Sequence, residues 1–356
     1  MRDQCAMLGA IGLLLALTGA RNTHAQAKLP LKLVQTIPLP NVHERMDHLG
    51  VDIKGQRLFA AALGDKQNTV EVIDLKAGKR VFSIPGQSKP QGVFYSEDSK
   101  NLFVANGGGG ASIVTADGTV KIFAGDSFKL LDSIPVGIDA DHVNVDPATK
   151  YLYVGVGDTK SGALVIIDTR TGKKVGEIKT EAGPGGIMIE KSGPRIFVRL
   201  RGTPNLGVID REKREQIATW PVTGTMQSYA LALDESHHRL FNTSRNPPLL
   251  IVHDSETGKQ ITQLESVQGI DDVWYDAALK RIYASGGRGP GGDAFVDGFV
   301  AVYQQKDADD YQLIAKVPTR TGACTSIWVA GLNRYYVSAP GTEKQEAAIL
   351  VFEPQP

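Results

Sequence analysis

Two Asp-His pairs, Asp47-His48 and Asp141-His142, and one Asp-Asp pair, Asp271-Asp272, each stand immediately before a short apolar stretch. Imidazole and carboxylate are the groups that ligate transition metals or exchange protons near neutral pH, provided the fold brings them together. Alone along the chain they would be ordinary solvated polar residues. Other chemistry-bearing patterns are weaker. Gly287-Arg288-Gly289-Pro290-Gly291-Gly292 fits a dinucleotide-type glycine spacing, but it lies between two strand-like runs and contains Pro290, so no helix N-terminus follows to hold a phosphate. Gly125-Asp126-Ser127-Phe128 is similar to a lipase nucleophile region, yet it sits where a hairpin turn is needed and reads as turn chemistry. With two cysteines, Cys5 and Cys324, the chain has no CxxCH haem attachment and no thiolate zinc cluster, so no haem is expected.

The elements that must position those pairs are short. Beyond residue 28 β-type runs recur, separated by Gly, Asp, Asn and Pro. One run repeats as Arg57-Leu58-Phe59, Asn101-Leu102-Phe103, Tyr151-Leu152-Tyr153, Arg195-Ile196-Phe197, Arg239-Leu240-Phe241, Arg281-Ile282-Tyr283 and Arg334-Tyr335-Tyr336. By subtraction the final aromatics lie 44, 50, 44, 44, 42 and 53 residues apart. Four strands, a to d, fit each unit, which predicts an all-β, seven-bladed β-propeller. The seventh unit stops after strand c. The unclaimed run Lys32–Ile37, which resembles the ends of other d strands, is expected to complete that blade and close the ring. The c–d turns Asp168–Lys173 and Asp254–Lys259 share Asp at the start and Gly before the next strand, Asp74 with Gly78 repeats this, and Asp210 keeps only the Asp; all are hairpin chemistry.

Aligning the units at the start of strand a gives one column: Asp47-His48, Gln91-Gly92, Asp141-His142, Gly185-Gly186, Tyr229-Ala230, Asp271-Asp272 and Thr325-Ser326. Strand a is innermost in a propeller, so the column surrounds one mouth of the central channel. Asp47, His48, Asp141, His142, Asp271 and Asp272 are therefore the expected ligand-binding residues, with His48 and His142 the expected ligands if a divalent metal is held; polar lining of a wet channel is the alternative. The long b–c loops of blades two (106–118), six (286–298) and seven (338–347) share that face and are the usual kind of place for binding. Trp274 and Trp328 share a slot of strand a and read as packing between blades, while His43, His237 and His253 are expected to be exposed.

The strand Leu164-Val165-Ile166-Ile167-Asp168, its Thr171-Gly172-Lys173 turn and the strand Tyr151-Leu152-Tyr153-Val154 resemble the YVTN-type propeller repeat, and the repeat region as a whole resembles the YncE-like family of exported bacterial propellers. The resemblance implies a fold and no particular reaction. Blade four departs from the pattern, with Arg211-Glu212-Lys213-Arg214 at its c–d turn.

Residues 1–27 read as a signal peptide, with Arg2, an apolar run from Ala6 to Leu17 and small residues before a cut near Ala25 or Ala27; residues 28–356 are the propeller. The expected location is periplasmic or secreted. Of 39 basic and 39 acidic residues the segment removes Arg2, Arg21 and Asp3, leaving 37 against 38. That balance offers nothing for nucleic acid or for a membrane surface after cleavage. Cys324 then has no partner for an intrachain disulfide. The expected function is a binding or protein-interaction scaffold, with a small molecule or a protein as partner and the chain a monomer. A metal-assisted hydrolase of the lactone or ester class, working at the channel mouth, is the alternative.

Overall fold

The computed structural model describes residues 29–64, 67–109, 115–289, 292 and 294–356. The expected signal peptide, Cys5 included, lies outside them. Seven four-stranded antiparallel sheets follow one another around a ring, each built from consecutive strands except the last. There the N-terminal strand Leu31–Pro38 pairs with the C-terminal strand Ala348–Pro354, Lys32 opposite Glu353 and Pro38 opposite Ala348. The ring is thus closed by joining the two ends of the chain, as the missing outer strand of the seventh unit requires. No helix among the described residues is long and apolar enough to cross a membrane.

The sequence of each strand follows from its radius. Strands b and c are sandwiched between neighbouring blades, so they are apolar on both faces: Leu58–Leu63 and Leu164–Ile167 are buried throughout. Strand d is outermost and largely solvent-facing, as in Lys79–Ile84, where only Ile84 is buried. The core is a series of inter-blade layers. One holds Ile37, Ile349 and Tyr336 of blade seven against Leu49, Leu58 and Ile73 of blade one, which welds the closure. Trp274 and Trp328 lie in the layer between blades six and seven, Trp328 5.9 Å from the ring of Tyr283.

The c–d turns obey the expected chemistry. Asp74, Asp168, Asp210 and Asp254 each accept backbone N–H bonds from the turn that follows. Gly78, Gly172 and Gly258 then adopt positive φ, as do Arg214 (φ 59°) in blade four and Phe128 (φ 55°) in blade two, which carry side chains in that conformation.

Four local expectations change. Strand a of blade one already starts at Arg45, ahead of the Asp47-His48 pair, because residues of the mouth still pair with strand b. The b–c connection of blade six is shorter than 286–298, since strand b continues to Arg288, which pairs with Phe295 and lies over its ring. His253 is not exposed: it is 0 % accessible within strand c of blade five, Pro248–Asp254. Strand c is covered by a neighbouring blade on either face, so alternation within it gives no exposed side. His43 is exposed, and His237 is half-buried on a short 3-10 turn, its Nδ1 2.7 Å from Asp234.

Candidate functional site: the channel mouth

The aligned pairs of blades one to six sit at an irregularity of their innermost strand; that of blade seven, Thr325-Ser326, enters a regular register. The a–b register slips between Met46 and Leu49, Pro90 and Val93, Gly185 and Met188, Ser228 and Leu231, and Ile270 and Asp272. In blade three the amide of Asp141 donates to Gly155 O, and the amide of Gly155 donates to His142 O, so one residue faces two. A bulge of this kind re-aims consecutive side chains. The second member of every pair, His48, Gly92, His142, Gly186, Ala230, Asp272 and Ser326, lines one cavity of about 150 Å³ in the channel.

Blades one, three and six are not adjacent, yet their polar groups meet. The reason is an alternation of size around the ring. At Gly92, between the two histidines, a Cβ would stand 2.3 Å from Asp141 O and 2.8 Å from Val143 Cγ1. Ser326, between blades six and one, is also small. The His48 and His142 rings therefore approach to 4.2 Å between centroids, inclined at 56°. His48 Nδ1 lies 3.3 Å from Asp272 Oδ1, and Asp272 is held in turn by the amide of Ser326, which donates to Oδ2 at 2.8 Å. His48 Nε2 faces Asp47 Oδ1 at 3.4 Å and Asp141 Oδ1 at 3.8 Å, while His142 Nδ1 is 3.4 Å from Asp141 Oδ1. One ligand atom each of His48, Asp141 and His142 lies within 4.8 Å of the other two.

The electrostatics are those of a dense carboxylate cage. Burial works against a charged His48, but Asp272, Asp47 and Asp141 outweigh it and push its pKa up to about 10. Burial also opposes ionisation of Asp141, and His142, Arg201 and His48 more than offset it, holding the carboxyl well below its usual range. Asp271 is likewise lowered against burial, by Arg245, Arg288 and Arg45.

A layer of cations surrounds this cage, and sequence reading missed it. Arg45 pairs with Asp47 at 2.7 Å. Lys89 and Arg201 both pair with Asp139, Lys89 at 2.8 Å, and Arg201 also reaches Asp141 at 3.2 Å. Arg245 pairs with Asp271 and donates through Nε to Ile270 O at 2.8 Å. Arg288 Nε contacts Cys324 Sγ at 3.1 Å, and burial pushes that thiol up to about 12. Arg199, Arg245 and Arg288 all come from b strands. An arginine in a strand otherwise buried on both faces was the available signal, because such a charge needs a reason to be there.

No family model and no curated protein matches the chain. Solved structures do. A chain in a crystal structure of the mitotic checkpoint complex aligns over 99% of this chain and 98% of its own length, at 13% identity and TM-score 0.70. A chain of Kuenenia stuttgartiensis hydrazine synthase aligns over 75% of this chain and 84% of its own, at 16% identity and TM-score 0.61. At such identities the likeness is one of fold, and it places this chain among the propellers.

Proposed function

We propose that this chain is a binding propeller, of the YncE-like exported type, whose ligand site is the channel mouth and whose site includes a divalent transition-metal ion held by His48, His142 and Asp141. The carrying observation is the meeting of two imidazoles from separate blades beside a shared carboxylate. Two nitrogens and one oxygen suit zinc, copper, nickel or cobalt better than calcium or magnesium. Asp272 supports the reading as the outer partner of His48: a carboxylate on Nδ1 fixes the ring and leaves Nε2 for the metal. A metal held there would supply Lewis-acid polarisation of a bound oxygen or nitrogen; His48 would bind it only after giving up its proton, while Asp272 keeps that ring oriented. The leader-like residues 1–27 support a place outside the cytoplasm. The test is metal analysis and calorimetric titration with zinc and copper on the metal-stripped protein. One equivalent per chain with sub-micromolar affinity is expected, and His48→Ala with His142→Ala should abolish it without a large fall in melting temperature. Absence of stoichiometric binding, or binding that persists in the folded double variant, overturns the site.

A further inference from the structure

The cations of the mouth are accounted for by neighbours, with one exception. Asp47 takes Arg45, Asp139 takes Lys89 and Arg201, and Asp271 takes Arg245. Arg199 is 6 % exposed, and among the described residues no carboxylate or carbonyl accepts a hydrogen bond from it; its Nε is buried without a partner. Its place is specific. Arg199 pairs with Gly185 across strands a and b of blade four, and a Cβ on Gly185 would stand 2.7 Å from Arg199 Nε and 2.9 Å from Nη2. The guanidinium thus fills the mouth slot that Asp47, Asp141 and Asp271 occupy in their own blades. Tyr229, the slot residue of blade five, presents its ring to Arg199 at 5.2 Å and to Arg245 at 3.8 Å.

A buried, unpaired guanidinium is costly unless something supplies the missing charge. Here burial lowers the pKa of Arg199 and Arg201 adds repulsion, while Asp141 and Tyr229 offset these only in part. Arg201 Nε and Arg288 Nη2 are further buried donors of the same mouth without acceptors. Aromatic contact relieves a cation only in part. A planar fork of N–H donors with its neighbours' spare donors beside it is the chemistry that recognises an oxyanion.

We infer that Arg199 is the anchor of an oxyanion site in the channel mouth, taking the carboxylate or phosphate group of a small molecule. This deepens the channel-mouth reading and rests on it for location, but it does not require the metal.

The test uses EDTA-treated protein, so failure of the metal proposal leaves it intact. Inorganic phosphate and succinate are titrated separately against sodium chloride of matched ionic strength, by calorimetry and by thermal melting. Saturable one-site binding of either is expected, with a rise in melting temperature beyond chloride, and the anion that saturates identifies the group. Arg199→Gln should weaken binding at least tenfold, and in anion-free buffer it should melt at or above the wild-type temperature, because an uncompensated charge has gone. A structural arginine would give the opposite shift. No response to either anion, equal binding by Arg199→Gln, or a lower melting point of that variant without anion overturns the inference. Should Arg199→Gln fail to fold, Arg199→Lys, which keeps the charge and loses the fork, is expected to bind severalfold more weakly; unchanged affinity then overturns it.

Discussion

At the scale of single residues, what distinguishes this propeller is how its buried titratable groups are compensated. His48 is surrounded by carboxylates and is held charged; for His253 burial dominates and it is held neutral. Burial within strand c of blade five lowers the His253 pKa from 6.5 to about 4, and a weak contact with the Gly258 backbone offsets little of it. The unfolded chain therefore takes up a proton at this residue at a pH where the folded protein does not. Stability from His253 is intact above pH 6.5, falls as the pH drops below it, and reaches its full loss of roughly 3 kcal/mol near pH 4. Denaturant unfolding at pH 7 and pH 4 should show His253→Leu losing about that much less than the wild type, and an identical acid slope in the two proteins would remove His253 as the cause. Its burial was not legible from the sequence. Leu249-Leu250-Ile251-Val252-His253-Asp254 alternates nothing, and only the neighbouring blades decide that both faces of the strand are covered.

Among elements, the innermost strand does most to build the site. Its repeated start was legible because seven units could be aligned on the apolar run that follows, and the alignment named the residues that line the cavity. It could not say which of them touch. That depends on the channel's width and on small residues at Gly92 and Ser326, and a list of slots carries neither. The pairing of Gly185 with Arg199 was equally hidden, since it depends on the bulge that offsets strand a against strand b. The c–d turn offers a cleaner relation between residue and element. Three turns put Gly at positive φ four residues after their Asp, and blade four puts Arg214 there at φ 59°. A side chain in that conformation costs about 1–2 kcal/mol, part of which is returned by its smaller entropy in the unfolded chain. The guanidinium of Arg214 reaches Val175 O of blade three at only 3.3 Å, a weak return. Arg214→Gly is accordingly expected to stabilise the protein by about 0.5–1 kcal/mol. Equilibrium unfolding in urea measures it, and a destabilised variant would mean that the contact with blade three outweighs the backbone strain.

For the whole molecule, the mouth exists only while the ring is closed, and closure depends on one strand. Each blade buries its faces against two neighbours, so an open ring would expose a blade face at the break and let the channel widen. The N-terminal strand prevents this in two ways. It satisfies the outer edge of Ala348–Pro354 over the register from Leu31–Pro354 to Pro38–Ala348, and it places Ile37 and Leu39 in the layer between blades seven and one. Leu31, Ile37 and Leu39 are essentially inaccessible. Burying three such side chains contributes about 5–8 kcal/mol before the strand's hydrogen bonds are considered, and ordering the segment offsets part of it. Removing residues 28–40 should therefore lower stability by several kcal/mol, which for a chain of this length is roughly 10 °C in melting temperature. It should also leave an unpaired edge that promotes association. Because His48 belongs to blade one and Asp272 to blade six, on either side of the closing blade, their 3.3 Å contact should loosen with the ring. Metal titration of the truncated protein should accordingly show weaker binding at a temperature where it is still folded. A truncated protein with the melting temperature and metal affinity of the intact chain would show that blades one to seven hold the channel without the clasp.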